Sequence, residues 1–482
     1  MPNPFVRVDV WSLADTDPII TWYAKAVATM KAKPAADPTS WTYQAAIHGS
    51  LDPHPAAGWN QCRHGSWYFV SWHRMYLYFF ERIVRAQVVA LGGPADWALP
   101  YWNYDGGNGH NALPTPFRNP MQGGQNNPLY LAERATGINA GAGLPPSITS
   151  PAFALSRTQF TGASEFGGGI TSPLGQFFAQ TGRLEQTPHN DVHVAIGGFM
   201  GNPDTAAEDP IFWLHHANID RIWWLWQQQP TSVPTTDPAW LGQSFPFFDD
   251  GGAPASLSDA GVLDTTAQLD YTYDHAPIRI PPSIRVPLLT RWPLPWPGLI
   301  VPNPPDPVPE RTIVGASVEP VRLIGGAVTA PVVVDERAVA PLRAEALAST
   351  LQQRAFLDID DIEAERNPGA VYGVYVNLPP QPTADDLASH HVGNLSTFGV
   401  ERARNPRGDE HAHGLHVSME ITEVLDRMAA DGSWHEGNQL AVTFLPQSLE
   451  APAEAPGMAE ELKPQGHADL PITIGRVSLH FA

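Results

Sequence analysis

Cysteine is nearly missing. Cys62 is the only one in 482 residues, so no disulfide can close within the chain, and a reducing compartment is expected. Positive charge is scarce as well: 28 Lys and Arg face 49 Asp and Glu, a formal net charge of −21. That balance argues against nucleic acid and anionic membranes as partners, because both need clustered cations. No apolar run approaches the roughly 18 residues that a membrane-spanning helix requires. The opening MPNPFVRVDVWSLADTD has no basic segment followed by an apolar one, so no secretory signal is expected and the cytoplasm is the expected location. Internal repeats are absent too. Histidine, by contrast, is abundant at 18 residues, so a metal centre in this chain would be built from imidazole. With 16 tryptophans and 43% apolar residues the chain can bury a large core, which excludes disorder and, at this length, implies two or three domains.

Residues 1–275 read as a mainly α domain. TDPIITWYAKAVATMKA has apolar residues at helical spacing behind two candidate caps, Thr16 and Asp17. SWYFVSWHRMYLYFFERIVRAQVVALGG is a longer helix stopped by Gly92 and Gly93. A further helix starts at Asp209 and Pro210 and continues to Trp226. Residues 276–311 are so rich in proline that neither helix nor central strand can persist, and they read as an extended connector. Over 312–482 short β-branched runs (TIVGASVEPVRL, AVTAPVVVD, AVYGVYVNL, LHVSMEI, QLAVTFL, ITIGRVSLHF) predict an antiparallel β-sandwich. One helix is expected within it, at EITEVLDRMAAD.

Six histidines form two triplets: His48, His64 and His73, then His189, His193 and His216. His189 and His193 are one helical turn apart and can reach the same ion. Three imidazoles suit copper, zinc or iron and leave a coordination position open. Taken singly, each is as readily an ordinary core or surface histidine, and H-x-x-x-H alone is a weak signal. The flanking residues give the pattern its specificity.

HGSWYFVSWHRMYLYFFE, LPYWNYD, PHNDVH and DPIFWLHHANIDRIWWLW resemble the two copper-binding signatures of the tyrosinase family, which includes polyphenol oxidases, catechol oxidases and the oxygen-binding units of molluscan haemocyanin. The resemblance implies a four-helix bundle holding two copper ions, one on His48, His64 and His73 and the other on His189, His193 and His216. His215 matches a position outside the coordination sphere. Two metals are needed because two-electron reduction of O2 draws one electron from each Cu(I). By the same resemblance Cys62 would be joined through sulfur to a ring carbon of His64. Glu185 and Asn190 would hold a water that accepts the proton of an incoming phenol, whose unperturbed pKa is near 10. Val194 and Phe212 would lie at the substrate entrance and over the second copper. Asp220 and Arg221 would brace the helix or the ligand shell, and Asn103 stands where many relatives have Asp.

ERNPGAVYGVYVNLP, LHVSMEITEVLDRMAADGSWHEGNQLAVTFLP and ITIGRVSLHFA resemble the C-terminal domain of plant polyphenol oxidases, which in relatives covers the active site and keeps the enzyme latent. The loop from Leu378 to His416 is the candidate cover, with no blocking residue identified, and its EHAHGLH cluster reads as a solvated polar loop. The plant family's N-terminal cysteine pairs are missing, which points to a bacterial-type protein. The resemblance thus implies an oxidase using O2 and a small phenol or catechol, carrying out ortho-hydroxylation of monophenols and oxidation of o-diphenols to o-quinones. The alternatives are a catechol or o-aminophenol oxidase without monophenol activity, a haemocyanin-like oxygen carrier, or a structural zinc protein. Neither oligomeric state nor physiological phenol is legible.

Overall fold

The computed structural model describes residues 4–162, 164–171, 180–274, 311–335, 354–404, 414–432, 439–452, 454–462 and 470–482. The proline-rich connector, apart from Arg311, and most of EHAHGLH lie outside these. Five helices frame the N-terminal region. Helix α1, Pro18–Lys31, is capped by Asp17, whose Oδ1 accepts the Ile19 N–H at 2.8 Å, and it buries Ile20, Tyr23, Val27 and Met30. Helix α2, Trp41–His48, is capped by the Ser40 hydroxyl. Helix α3, Phe69–Ala90, stops before Gly92, whose φ of 85° suits a glycine. Helix α4, Asp191–Ile196, is entered through a π-helical turn, Glu185–Asn190. Helix α5, Ile211–Gln227, has Asp209 at its start: Oδ1 accepts the Ile211 N–H at 3.1 Å while the carboxylate pairs with buried Arg134 at 2.7 Å. The Asp209 side chain thus meets the start of the helix, but the cap position falls on Pro210 and the first helical residue on Ile211, each one place later than the sequence suggests.

Helix α3 packs against α1 on one side and α5 on another. Their shared core is aromatic: Trp41, Trp72, Trp213 and Trp223 are all fully buried. A short parallel pair, β1 (Phe5–Arg7) and β2 (Tyr271–Tyr273), is tied to this core by charge. Asp220 on α5 accepts from Arg7 at 3.1 Å, from Arg74 at 2.5 Å, and from the hydroxyls of Tyr271 and Tyr273 at 2.5 Å. Burial pushes the Asp220 carboxyl up, but the two guanidinium groups and the two hydroxyls outweigh it and hold it below its ordinary value.

The C-terminal region is antiparallel as expected, but the described strands form one sheet rather than the two facing sheets of a sandwich. With strands β3 (Thr312–Ser317), β4 (Val321–Leu323), β5 (Val328–Val334), β6 (Ala355–Glu363), β7 (Val371–Val376), β8 (His391–Ser396), β9 (Leu415–Glu420), β10 (Leu440–Pro446) and β11 (Ile472–Phe481), the order is β8-β7-β10-β5-β3-β11-β6-β9, and β4 pairs with β11. The outermost strands β8 and β9 also contact each other, so the sheet curls nearly into a barrel around its own core. The expected helix is present at Thr422–Asp431. Among the described residues no helix is long and apolar enough to cross a membrane.

This sheet lies against the helices. Arg354 reaches both Glu165 and Glu420 at 2.6 Å, and Glu420 also pairs with Arg157. Asn394 on β8 donates to the Ser147 carbonyl at 2.6 Å and to Asp191 Oδ2 at 2.7 Å, and its own oxygen accepts from His391. Every hydrogen-bonding atom of that side-chain amide is therefore used, which suits a group enclosed between two domains.

Candidate metal centre

The first histidine group is assembled from a helix end, a loop and a long helix. His48 closes α2, and its Nδ1–H donates to the Pro203 carbonyl at 2.8 Å, leaving a buried Nε2 with no protein partner. His73 sits on α3 and donates from Nδ1 to the Phe69 carbonyl at 2.8 Å. Carbonyl acceptors fix the same tautomer in both rings and leave the Nε2 lone pair as the one that can bind a metal, with Cys62 Sγ 3.4 Å from that of His73. His64 lies in the loop between α2 and α3, with Cys62 beside it. The Cys62 Sγ is 3.3 Å from His64 Nδ1 and 3.6 Å from Nε2. It is thus nearly equidistant from the two nitrogens that flank Cε1.

The second group repeats the design. His189 donates from Nδ1 to Asn190 Oδ1 and His193 to the Met200 carbonyl, each at 2.8 Å. The Nε2 of His189 is buried without a partner, and that of His193 lies 3.3 Å from His216 Nε2 on α5. His215 stands close by, with neither ring nitrogen hydrogen-bonded. Ligand atoms of His48, Cys62, His64 and His73 all fall within 4.8 Å of one another, and so do those of His189, His193, His215 and His216. The two groups face each other: the His73 and His216 rings stack at 4.4 Å, and His64 is 5.6 Å from His189.

Burial pushes all these imidazoles down, His48 to about 3, and neighbouring rings add to the effect at most of them. They are neutral at neutral pH. Converging neutral imidazoles, with the Nε2 atoms of His48 and His189 buried without a protein partner, are what a pair of imidazole-bound metal ions needs.

The remaining residues singled out from sequence are distributed around this centre. Glu185 Oε1 accepts the Gly65 N–H at 2.7 Å, whereas Oε2 is buried and unpartnered; burial raises its pKa. The Asn190 oxygen is occupied by His189, so this residue orients a ring. Phe212 is fully buried, 4.2 Å from His216 and 4.9 Å from His48, and Val194 is enclosed beside His193. Neither lines the cleft that remains between the domains, which is bordered by Gln186, Asn190, Asn394, Phe398 and His416.

Phe398 is the residue that sequence reasoning missed. It follows β8 within the loop expected to cover the entrance, and its ring stacks on His193 at 4.3 Å and 21°. His64 and His189 lie 5.5 and 5.6 Å away, both edge-on. Gly399, with φ of 83°, makes the turn that delivers it. Nothing in the string LSTFGVE distinguishes this phenylalanine from a core residue; only the docking of the sheet does.

Residues 38–229 match the family model described as the common central domain of tyrosinase, residues 235–281 the polyphenol oxidase middle domain, and residues 310–482 a domain of unknown function. Tyrosinase HcTyr1 of Hahella sp. (strain CCB-MM4) is 32% identical over 507 aligned residues, covering 98% of this chain and 98% of that protein. The chain belongs to the tyrosinase family. The latent chloroplastic polyphenol oxidase of Prunus armeniaca is 25% identical over 92% of this chain and 74% of its own length. Latent aurone synthase, a polyphenol oxidase, shares the fold with a TM-score of 0.60 at 21% identity, covering 100% of this chain and 90% of that one. This tyrosinase-family protein is thus a copper-binding oxidoreductase, and its cofactor is a pair of copper ions.

Proposed function

We propose that the chain oxidises phenols with O2, hydroxylating monophenols ortho to the hydroxyl and converting o-diphenols to o-quinones, and that the intact chain is latent. The observation that carries this reading is the Phe398 ring, stacked over the imidazoles where a phenol ring would have to lie. In this reading His48, His64 and His73 hold one copper, and His189, His193 and His216 the other. Helices α2 to α5 are then the four helices of the bundle, and His215 stays outside the coordination sphere. When bound, the copper pair supplies the electrons and the open coordination faces for O2 chemistry.

The chain's own residues do the rest. Nδ1 hydrogen bonds on His48, His73, His189 and His193 fix their ring planes, and Phe212 packs between both groups. Glu185 takes the phenolic proton on Oε2; its burial-raised pKa favours keeping that proton. Phe398 excludes both phenol and water until the C-terminal sheet is displaced. Cys62 forms a thioether with His64 Cε1. That bond replaces one S–H and one C–H, so two protons and two electrons leave, and O2 accepts them. An intact mass short by two hydrogens would report it.

The test is turnover of tyrosine and catechol by the copper-loaded full chain, unaltered and with Phe398→Ala. The variant should oxidise catechol far faster than the parent; an equal rate would contradict the lid. In the Phe398→Ala background, Glu185→Gln should cost monophenol turnover about a hundredfold more than diphenol turnover, in line with a lost general base. Equal losses would remove Glu185 from the proton-accepting role. A catechol or o-aminophenol oxidase with little monophenol activity is the second reading. It is favoured by one observation: the Asn190 oxygen already accepts from His189, which leaves only its second lone pair and the amide N–H groups to hold a water.

A further inference from the structure

From the end of one short helical turn, Gly198–Gly201, towards the next, Ala206–Glu208, runs a short segment, Met200 to Asp204, which serves both metal groups. Its Met200 carbonyl accepts from His193 and its Pro203 carbonyl from His48, both at 2.8 Å. One ring of each histidine group is therefore oriented by the same five residues. Bonds inside the segment, such as Asp204 N–H to Asn202 Oδ1 at 2.9 Å, give it shape. They do not fix its place against α2.

That place is set from two sides. On one side is Gly49, directly after His48: a Cβ there would lie 2.4 Å from the Pro203 oxygen and 2.7 Å from the Asp204 Cα. Only glycine lets the segment come so near. On the other side is the C-terminal domain. Asn367 donates to the Gly201 carbonyl at 2.6 Å, Asn202 donates to Glu401 at 3.2 Å, and Arg402 reaches Asp204 at 3.3 Å. These three residues form a connected grip. The second Glu401 oxygen accepts the Asn367 N–H at 2.8 Å, and Thr397, next to Phe398, donates to the Asn367 side chain at 2.6 Å. The Arg402 and Asp204 side chains are only 10% and 11% exposed, so solvent screens the pair weakly.

We propose that the C-terminal domain positions the metal centre as well as covering it. Asn367, Glu401 and Arg402 are positioning residues that hold the 200–204 segment, and through its two carbonyls the rings of His48 and His193. This rests on the assignment of those two histidines as copper ligands. A ligand imidazole keeps its tautomer and ring plane through its outer hydrogen bond, and a carbonyl that moves with a loose segment orients nothing. The C-terminal domain would then matter to copper retention even in a chain whose plug has been removed.

The experiment uses the copper-loaded full chain carrying Phe398→Ala, so that the plug is absent from every comparison. To this parent are added either Asn367→Ala with Arg402→Ala, or Arg354→Ala, which breaks the interdomain ion pair to Glu165 and touches none of residues 200–204. Two readouts apply: the rate of copper loss to excess chelator, and the Cu(II) paramagnetic resonance signal, which is silent for a coupled pair and visible for a separated or half-occupied one. The double variant should lose copper about tenfold faster, the low end of what losing an outer partner costs, and show a signal. Arg354→Ala should match the parent, and Arg402→Lys should recover most of the retention. Gly49→Ala, pressing on the segment from the opposite side, should also release copper if the double variant fails to fold. Unchanged retention in the double variant and in Gly49→Ala, or equal loss in Arg354→Ala, would overturn the proposal. A parent that takes up fewer than two coppers would instead overturn the ligand assignment beneath it.

Discussion

A buried imidazole keeps its lone pair to a lower pH than an exposed one. Burial takes His48 and His215 down to about 3, against an ordinary value near 6.5. Because these pKa values are lowered, the neutral form persists below pH 6.5, and protons do not compete with metal there. Copper content after equilibrium dialysis should stay constant from neutral pH through about 6.5 and fall only well below it; half-loss near 6.5 would show exposed, ordinary histidines. The histidines that converge on this centre were legible because their spacing and flanks carry the pattern. Phe398 and Asp191 were not. Asp191 sits two residues from two histidines and looks like a helix residue, yet it is bonded to Asn394 of the other domain. Its partner is 203 positions away, and no local signal encodes such a pairing.

Helix α5 shows how an element is held by charge as well as by packing. Asp220 lies one turn beyond His216 and anchors two arginines and two tyrosines in the core. Asp220→Ala would leave buried Arg74 without a carboxylate, whereas Arg7 keeps Glu81 at 2.6 Å; chemical denaturation should show a loss of about 3–5 kcal/mol, the usual cost of breaking a buried pair. Asp250→Ala, which removes a pair whose side chains are 39% and 46% exposed, should change stability by no more than about 1 kcal/mol. Similar losses from both would deny the network its role. Helices were readable in the sequence because apolar spacing and caps agree, as at Asp17. In the C-terminal sheet two strands were not. Ala355–Glu363 is acid-rich, with Asp358 and Asp360 answering Arg311 and Arg476 across the sheet. His391–Ser396 contains glycine and asparagine, because it carries the interdomain contact instead of plain core. Alternation also cannot say whether strands form two sheets or one curled sheet, since closure depends on which strands become neighbours.

At the scale of the molecule, two domains share one site: the helices provide the imidazoles, and the sheet provides Phe398 and the grip on residues 200–204. The order of the two halves was visible in composition, but their docking was not, since it depends on side chains far apart in the chain. The claim on which everything rests is that six imidazoles hold two copper ions side by side. Anomalous diffraction at the copper edge from crystals of the copper-loaded full chain tests it most directly. Two copper peaks are predicted, one bounded by His48, His64 and His73 and the other by His189, His193 and His216, with His215 outside both. A single peak, or ligands drawn from other residues, would contradict the account.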